Sequence, residues 1–322
     1  MKSITRLIAG ALFAVLAVPA LAQSWPQKPV RLIVSLGAGS GADIGARLFA
    51  DRLTRIWGQP VVVENRPGAD GVLAINAVIQ AKDDHTLLWG PTSNFVAHPY
   101  TLEQLPYDPN ELVPVARITN TVVTIAVPPA LGVNSLKDLF AQIKAQPGKW
   151  NFASATTNTD VIIAAFFKSA GLDVQKVAYK DTVSALNDLL ENRIQIYGAA
   201  YAIVRTQAQA GRVKLLAITN KNRAPGLDVP TVTELGYPLL EFDGLVAIFA
   251  ARSSGFPDAA RERIAADVKT VAADPVVAER LQATAQINNP GTAVELAANM
   301  KEQAAQLDAA AKQAGILRKL RQ

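Results

Sequence analysis

Short apolar runs alternate with amphipathic segments through the first third of the chain. Val30–Val34 and residues 61–63 and 86–89 are strand-like runs, rich in branched residues in the first two cases. Residues 42–56 and 72–81 carry their apolar side chains at helical spacing. This strand–helix–strand repeat, with strands that are apolar throughout, predicts a parallel sheet covered by helices on both faces.

A second strand–helix series follows the long strand-like run 115–127, which we interpret as a passage from one domain into another. The series occupies residues 136–218, and the apolar run 242–250 then provides a return strand. A chain that leaves its first domain once and returns once predicts a two-lobed α/β body. Ligands are expected in the cleft between the two lobes.

The expected lobe boundaries follow from these two passages. Lobe 1 comprises residues 23–122 together with 244–322, and lobe 2 comprises residues 123–243. The alanine-rich, charged and helical segment 257–320 therefore belongs to lobe 1. Each lobe is expected to hold a mostly parallel sheet flanked by helices.

The first 22 residues have the pattern of a secretory signal peptide. Lys2 and Arg6 precede an apolar run at 7–18, and Pro19 separates that run from a small-residue motif ending at Ala22. A membrane-spanning helix needs about 20 apolar residues, which is more than this run provides. We therefore expect export of the chain, with cleavage after Ala22.

Composition narrows the function classes further. The chain has no cysteine, which excludes disulfides and thiolate metal sites. Loss of Lys2 and Arg6 with the leader lowers the net charge from +5 to +3, and the remaining basic residues form no stripe, so no nucleic-acid partner is expected. His85 and His98 are the only histidines and lack zinc-site spacing, so no metal is expected.

The sharpest local motif is the loop Gly37-Ala-Gly-Ser-Gly-Ala42 between the first strand and the first helix. It matches G-x-G-x-x-G/A, and Glu64 lies 22 residues beyond Ala42, so the loop approaches the dinucleotide-binding fingerprint. An exported NAD(P)-dependent oxidoreductase is one interpretation, and a plain structural turn is another. Export weighs against the dinucleotide interpretation, and so does Asp43, whose carboxylate would lie near the pyrophosphate. A third interpretation, capture of a small carboxylate by glycine-loop amides and a helix N-terminus, is therefore favoured. The loop residues concerned are Gly39, Ser40, Gly41, Ala42 and Asp43.

Polar residues also follow other predicted strands, just before the next helix begins. Such residues cap the helix or bind a carboxylate through hydroxyl and amide donors. Capping needs only one of the second-lobe residues, so ligand contact is the favoured hypothesis for part of that group, whereas for the first-lobe residues capping and ligand contact remain equal alternatives. The candidates are Ser93 and Asn94 in lobe 1, and Ser154, Thr156, Thr157 and Asn158 in lobe 2.

Ordered motifs run along the whole mature chain. The most specific is Val-Val-Val-Glu-Asn-Arg-Pro-Gly-Ala at 61–69, followed by Gly71. Together the motifs resemble the solute receptors of tripartite tricarboxylate transporters, the Bug (Bordetella uptake gene) family. The further matches lie at 25–34, 105–109, 147–154, 179–180, 210–219 and 228–236.

The resemblance implies a periplasmic binding protein with a type II-like fold. Such a protein closes on a small organic acid and hands it to the membrane permease of the transporter. The resemblance also implies no catalysis, no cofactor and a monomeric chain. A ligand-sensing receptor for a signalling system uses the same closure and remains an alternative.

Departures from the family pattern fall at positions expected to face the ligand. The first loop keeps Gly39 and Asp43 but has Ser40 where a second glycine is usual. The Tyr-Lys-Gly triplet that is usual in the family is Tyr-Lys-Asp at 179–181. An acidic residue that is often found near the end of a later strand is replaced by small residues at 198–200, which predicts room for a bulkier ligand such as an aromatic acid. The candidate contacts implied here are Tyr179, Asp181, Ala199 and Ala200.

Overall fold

The computed structural model describes residues 25–179, 181–284, 286–313 and 315–319, and every side chain in them except that of Asn94. The expected leader at 1–22 and the candidate contact made by the Asn94 side chain lie outside the described part. No helix in the described part is long and apolar enough to cross a membrane.

Eleven strands and eleven α-helices make up the described part of the chain. The strands in chain order are β1 (Val30–Val34), β2 (Val61–Asn65), β3 (Thr86–Pro91), β4 (Leu112–Thr121), β5 (Val123–Val127), β6 (Trp150–Ser154), β7 (Val174–Lys176), β8 (Ile196–Ala200), β9 (Lys214–Ile218), β10 (Gly244–Ala251) and β11 (Gln286–Gly291). The helices are α1 (Gly41–Trp57), α2 (Val72–Ala81), α3 (Ser93–Val96), α4 (His98–Thr101), α5 (Leu136–Ala145), α6 (Thr157–Ser169), α7 (Thr182–Leu190), α8 (Tyr201–Gln209), α9 (Asp258–Ala272), α10 (Pro275–Ala283) and α11 (Ala293–Gln313).

The strands form two sheets, each of which is the centre of one lobe. The first lobe holds a six-stranded sheet in the order β11-β4-β10-β3-β1-β2. The second lobe holds a five-stranded sheet in the order β7-β6-β8-β5-β9. The predicted two-lobed α/β architecture is confirmed.

Both sheets are mixed, which corrects the expectation of mostly parallel sheets. Strand β1 is parallel to β2 and β3, but β10 is antiparallel to β3 and β4, and β11 is antiparallel to β4. Strand β6 is parallel to β7 and β8, whereas β5 is antiparallel to β8 and β9. For β5 and β10 the reason is the passage between lobes: each enters a sheet from the cleft edge, where the parallel strands end, and so runs in the opposite direction.

Apolar side chains on the sheet faces form the cores. In the first lobe Leu32 and Trp89 pack with Phe49 of α1 and Ile264 of α9. In the second lobe Phe152 lies edge-on to Phe167 of α6, with ring centroids 5.5 Å apart. Burial of such side chains contributes about 1.5–3 kcal/mol each and accounts for most of the stability of each lobe.

Two passages connect the lobes, and one buried side chain ties them together. The predicted run 115–127 is two strands, β4 and β5, which belong to different sheets. Asn220 accepts a hydrogen bond from Val123 N at 3.0 Å and donates through Nδ2 to Thr121 O at 3.0 Å and to Asp243 Oδ1 at 2.9 Å. Because Thr121 and Val123 flank the outward passage and Asp243 the return, Asn220 holds both passages in one place.

Candidate functional site

The loops that carry the predicted site residues meet where the lobes face each other. In the first sheet Val34 pairs with Asn65 and with Trp89, so the loops after β1, β2 and β3 leave the same edge. In the second sheet Ser154 pairs with Gly198, so β6 and β8 end together. Thr157 Oγ1 at the start of α6 donates to Asp70 Oδ2 at 2.7 Å and joins the two edges.

The glycine loop is shaped by its own residues. Gly39 has φ +81°, in the left-handed region that a side chain rarely adopts. Ser40 caps α1, and its Oγ accepts the Asp43 N–H at 3.2 Å. The Asp43 carboxylate in turn accepts the Gly39 N–H at 2.9 Å, so loop and helix start are locked together.

Asp43 is buried, and both of its carboxylate oxygens accept hydrogen bonds from the protein. Oδ1 accepts from Arg47 Nε at 3.0 Å, one helical turn further along α1, and from Asn65 Nδ2 at 2.9 Å. Burial raises the pKa of Asp43, but the hydrogen bonds from Arg47, Gly39 and Asn65 outweigh it and hold the pKa below its ordinary value. Direct contact of Asp43 with a ligand stays a prediction.

Gln286, which the sequence did not indicate as a site residue, contacts the end of the glycine loop. Gln286 of β11 is buried, donates to Gly41 O at 2.5 Å and accepts from Thr119 Oγ1 at 3.1 Å. A Cβ on Gly41 or on Gly45 would lie 3.3 Å from the Gln286 amide, so both glycines allow this close approach. Its separation of 245 residues from Gly41 leaves no local sequence signal.

Glu64, which a dinucleotide site would use for the ribose, is engaged elsewhere. Arg31 donates to Glu64 Oε2 at 2.7 Å and Arg66 to Oε1 at 2.6 Å. These hydrogen bonds keep the pKa of Glu64 below its ordinary value. The carboxylate is therefore part of a surface ion-pair group.

The loop after β3 ties the first lobe to the C-terminal helix. Thr92 and Ser93 are both buried at the start of α3. Thr92 Oγ1 donates to Gln303 Oε1 at 2.7 Å, and Gln303 Nε2 donates to Asp243 O at 2.7 Å. This chain of contacts places Ser93 beside the return passage, and its contact with a ligand stays a prediction.

The start of α6 brings together most of the second-lobe candidates. Thr156 is the N-cap, and its Oγ1 lies 3.4 Å from Thr159 N and 2.9 Å from Thr159 Oγ1. Ser154 Oγ lies 2.9 Å from Asp160 Oδ1, and Asp160 also pairs with Lys176. Ser154 and Thr156 thus shape this turn, whereas the Thr157 hydroxyl points across to the first lobe.

Among the predicted site residues, Asn158 has the most unusual surroundings. It is fully buried, and neither Oδ1 nor Nδ2 has a hydrogen-bond partner among the described residues. It precedes Val161 and Ile162 by three and four residues, on the helix face that packs against Val96 and Ala97 of the first lobe. A buried amide without partners is costly, and contact of Asn158 with a ligand stays a prediction.

Tyr179 and Asp181 make hydrogen bonds within the second lobe. Tyr179 OH donates to Asp188 Oδ2 at 2.6 Å, and burial together with Asp188 raises the pKa of Tyr179 to about 12. Asp181 caps α7 by accepting the Ser184 N–H at 2.8 Å, and this bond lowers the pKa of Asp181. Contact of these two residues with a ligand stays a prediction.

The small residues of β8 differ in what surrounds them. Ala199 is fully buried in an apolar cluster with Tyr197 and Leu189, and Ala200 is half-buried at the strand end. Gly198, which was not predicted as a ligand contact, lies under α6: a Cβ there would be 2.5 Å from Ile163 Cδ1. Gly198 therefore sets how closely the first two turns of α6 approach the sheet.

Three further residues at the lobe junction were not predicted as ligand contacts. Asp70 lies in the loop after β2, and His98 and Tyr107 lie behind it. His98 is fully buried, with Nε2 3.0 Å from Asp70 O and Nδ1 2.6 Å from Tyr107 OH. These residues are far apart in the sequence, so no local pattern indicated that they form a cluster.

Among the described residues, no group of three or more His, Asp or Glu could hold a metal ion.

A cavity of about 270 Å³ lies in the first lobe, and its walls are mainly apolar. Its lining includes Phe95, Leu105, Phe249 and Met300. Such walls offer few donors for a carboxylate, so the lobe junction is the stronger candidate for the site.

Two sheets joined by two passages, with polar loops facing each other between them, define a two-lobed periplasmic binding protein. The model of the tripartite tricarboxylate transporter family receptors matches residues 45–316. A UPF0065 protein of Bordetella bronchiseptica is 31% identical over 302 residues, which covers 93% of this chain and 89% of that protein. The chain belongs to this receptor family, which is a class of periplasmic solute receptors.

Solved structures show the same architecture. The periplasmic binding protein BugD is 26% identical with a TM-score of 0.78, and the similarity covers 91% of this chain and 99% of BugD. Rpa4515 of R. palustris, solved with adipate, is 25% identical with a TM-score of 0.83 and the same coverage of both chains. The resemblance read from the sequence motifs is confirmed.

Proposed function

We propose that this chain captures a small organic carboxylate between its lobes and delivers it to the permease of a tripartite tricarboxylate transporter. The observation that carries the proposal is the junction at which Thr157 of one lobe contacts Asp70 of the other beside the buried amide of Asn158. Support also comes from Rpa4515, a relative of the same fold that was solved with the dicarboxylate adipate.

Neutral donors, rather than free cations, are proposed to hold the carboxylate. Arg47 and Arg66, which flank the first-lobe loops, already pair with Asp43 and Glu64. The first turns of α1 and α6 provide backbone N–H groups and a partial positive charge, and the capping side chain at each satisfies only part of these donors. Binding through such preorganised groups costs little ordering of side chains.

Closure is proposed to occur about the two passages held by Asn220. The lobes are taken as residues 23–122 with 244–322 and residues 123–243, after cleavage of the leader following Ala22.

Export of the monomeric chain to the periplasm is proposed to bring it to the permease. Loss of acid uptake in a deletion strain would distinguish delivery from a sensing role.

A thermal-shift screen of the mature protein tests the proposal. The probes are mono-, di- and tricarboxylates, both aliphatic and aromatic, with NADH as a separate arm. A ligand at 100 times its Kd adds about 2.7 kcal/mol of stability, so at least one acid is expected to raise Tm by roughly 5 °C. No shift with any acid, or a shift with NADH alone, would contradict the proposal.

A further inference from the structure

Asp70 has a backbone conformation that side chains seldom adopt. Its φ and ψ are 52° and 41°, and the preceding Ala69 has φ 47°. Glycine occupies this left-handed region without strain, as Gly71 does at φ 87° in the same loop. A carboxylate is thus kept at a position where a glycine would fit more easily, which points to a use for the side chain.

His98 and Tyr107 hold this loop in place. A carbonyl oxygen only accepts, so His98 Nε2 carries the hydrogen and donates to Asp70 O at 3.0 Å. Nδ1 then accepts from Tyr107 OH at 2.6 Å. Burial lowers the pKa of His98 and raises that of Tyr107, in agreement with a neutral ring and a protonated phenol.

The Asp70 carboxylate faces the second lobe and, among the described residues, accepts a hydrogen bond through only one of its two oxygens. Oδ2 accepts from Thr157 Oγ1, Oδ1 has no hydrogen-bond partner among the described residues, and the side chain is 34% exposed. No lysine or arginine of the described part pairs with it, and the neutral His98 ring lies 3.8 Å from Oδ2. Next to Thr157, the buried Asn158 amide, which has no hydrogen-bond partner in the described part of the chain, offers further donors and an acceptor at the same lobe junction.

We propose that Asp70 is a specificity residue that selects acids carrying an amino or hydroxyl group beside a carboxylate. This inference rests on the proposed function and names the ligand class of the same site. The donor of the ligand replaces the Thr157 hydroxyl at Asp70, while the carboxylate lies toward the helix N-termini. An acid without a donor leaves the Asp70 charge desolvated when the lobes close, with only the Thr157 hydroxyl to stabilise it.

Calorimetric titration with matched acids tests the selection. Succinate, malate and aspartate differ only in having a hydrogen, a hydroxyl or an ammonium group at C2, and phenylacetate, mandelate and phenylglycine form the aromatic counterpart. In at least one series the hydroxyl or ammonium acid is expected to bind at least about tenfold more tightly than the plain acid. The stronger of the two also identifies which donor the site takes.

Two variants assign the selection to the carboxylate. Asp70→Asn keeps a residue that tolerates the left-handed region, and Asp70→Gly relaxes it, so both are expected to fold. In both, the preference is expected to fall below about threefold, while Asp228→Asn, an exposed matched control, keeps the preference of the original chain. Equal binding of plain and donor-bearing acids by the original chain, or an unchanged preference in both Asp70 variants, would overturn the inference while leaving carboxylate capture intact. Absence of binding by all six acids would overturn the inference, whereas carboxylate capture is contradicted only if the wider thermal-shift screen also finds no acid that binds.

Discussion

Gly198→Ala is expected to destabilise the protein by about 1–3 kcal/mol through overpacking. The added Cβ would lie 2.5 Å from Ile163 Cδ1 and 2.9 Å from Thr159 Cγ2. Ile163 is buried in a cluster with several phenylalanine rings, and Thr159 Oγ1 contacts Thr156, so either side chain would lose contacts by moving away. Helix α6 must therefore shift, and we expect ligand affinity to fall about tenfold, because Thr157 and Asn158 move with the helix.

Urea unfolding and calorimetric titration measure the two effects of Gly198→Ala. Gly37→Ala is the matched control, because a Cβ there meets nothing within 4 Å, and its stability is expected to change by less than about 0.5 kcal/mol. Adding Ile163→Val to Gly198→Ala removes the clashing methyl group, so the double variant is expected to be more stable than the sum of the two single changes by about 0.5–1 kcal/mol. Strict additivity would show that the contact does not limit how α6 packs.

Asn220→Leu is expected to cost about 3–5 kcal/mol, because it leaves Val123 N, Thr121 O and Asp243 Oδ1 without their buried partner. Asn187→Leu changes the same residue type at an exposed position of α7 and is expected to stay within about 0.5 kcal/mol. Unfolding free energy in urea measures both. A loss below about 1 kcal/mol for Asn220→Leu would show that the passages are held by other contacts.

Asn220→Asp separates the acceptor from the donor role. The variant keeps an oxygen for Val123 N–H but places a second carboxylate beside Asp243, whose pKa burial already raises. A buried acid with a raised pKa contributes to stability while it is protonated, and this contribution is complete at pH values below the ordinary pKa of aspartate. The contribution to stability is lost as the pH rises through the raised pKa. The variant is therefore expected to be closer to the original chain in stability near pH 4 than at pH 7.

The local features of this chain were predictable because short-range physics determines them. The hydrogen bond between Arg47 and Asp43 spans one helical turn, and the strand–helix order follows from the apolar periodicity. The strand directions of β5 and β10 were not predictable, because apolar runs carry no information on orientation. The sequence motifs placed the chain in its family, but they did not indicate which loop residues lie at the lobe junction.

In the candidate site, too, the residues with a local sequence signal were predicted and those brought together by the tertiary fold were not. Thr157 and Asn158 were predicted from their place between a strand and a helix, and the structure puts both at the lobe junction. Asp70 and His98 lie 28 residues apart in the sequence, and they come into contact only because the loop after β2 folds over α4. Asp181 was predicted as a ligand contact, yet its carboxylate caps α7, since a strand-to-helix loop uses the same polar residues for either purpose.

Hydrogen–deuterium exchange of the mature protein, with and without the acid that gives the largest thermal shift, tests the central claim most directly. Capture between the lobes is expected to slow amide exchange in both lobes at once, at residues 35–43 and 66–71 of the first lobe and 154–160 of the second. Slower exchange confined to one lobe, or to residues 99–112 around the apolar cavity, would contradict a carboxylate held at the junction of the two lobes.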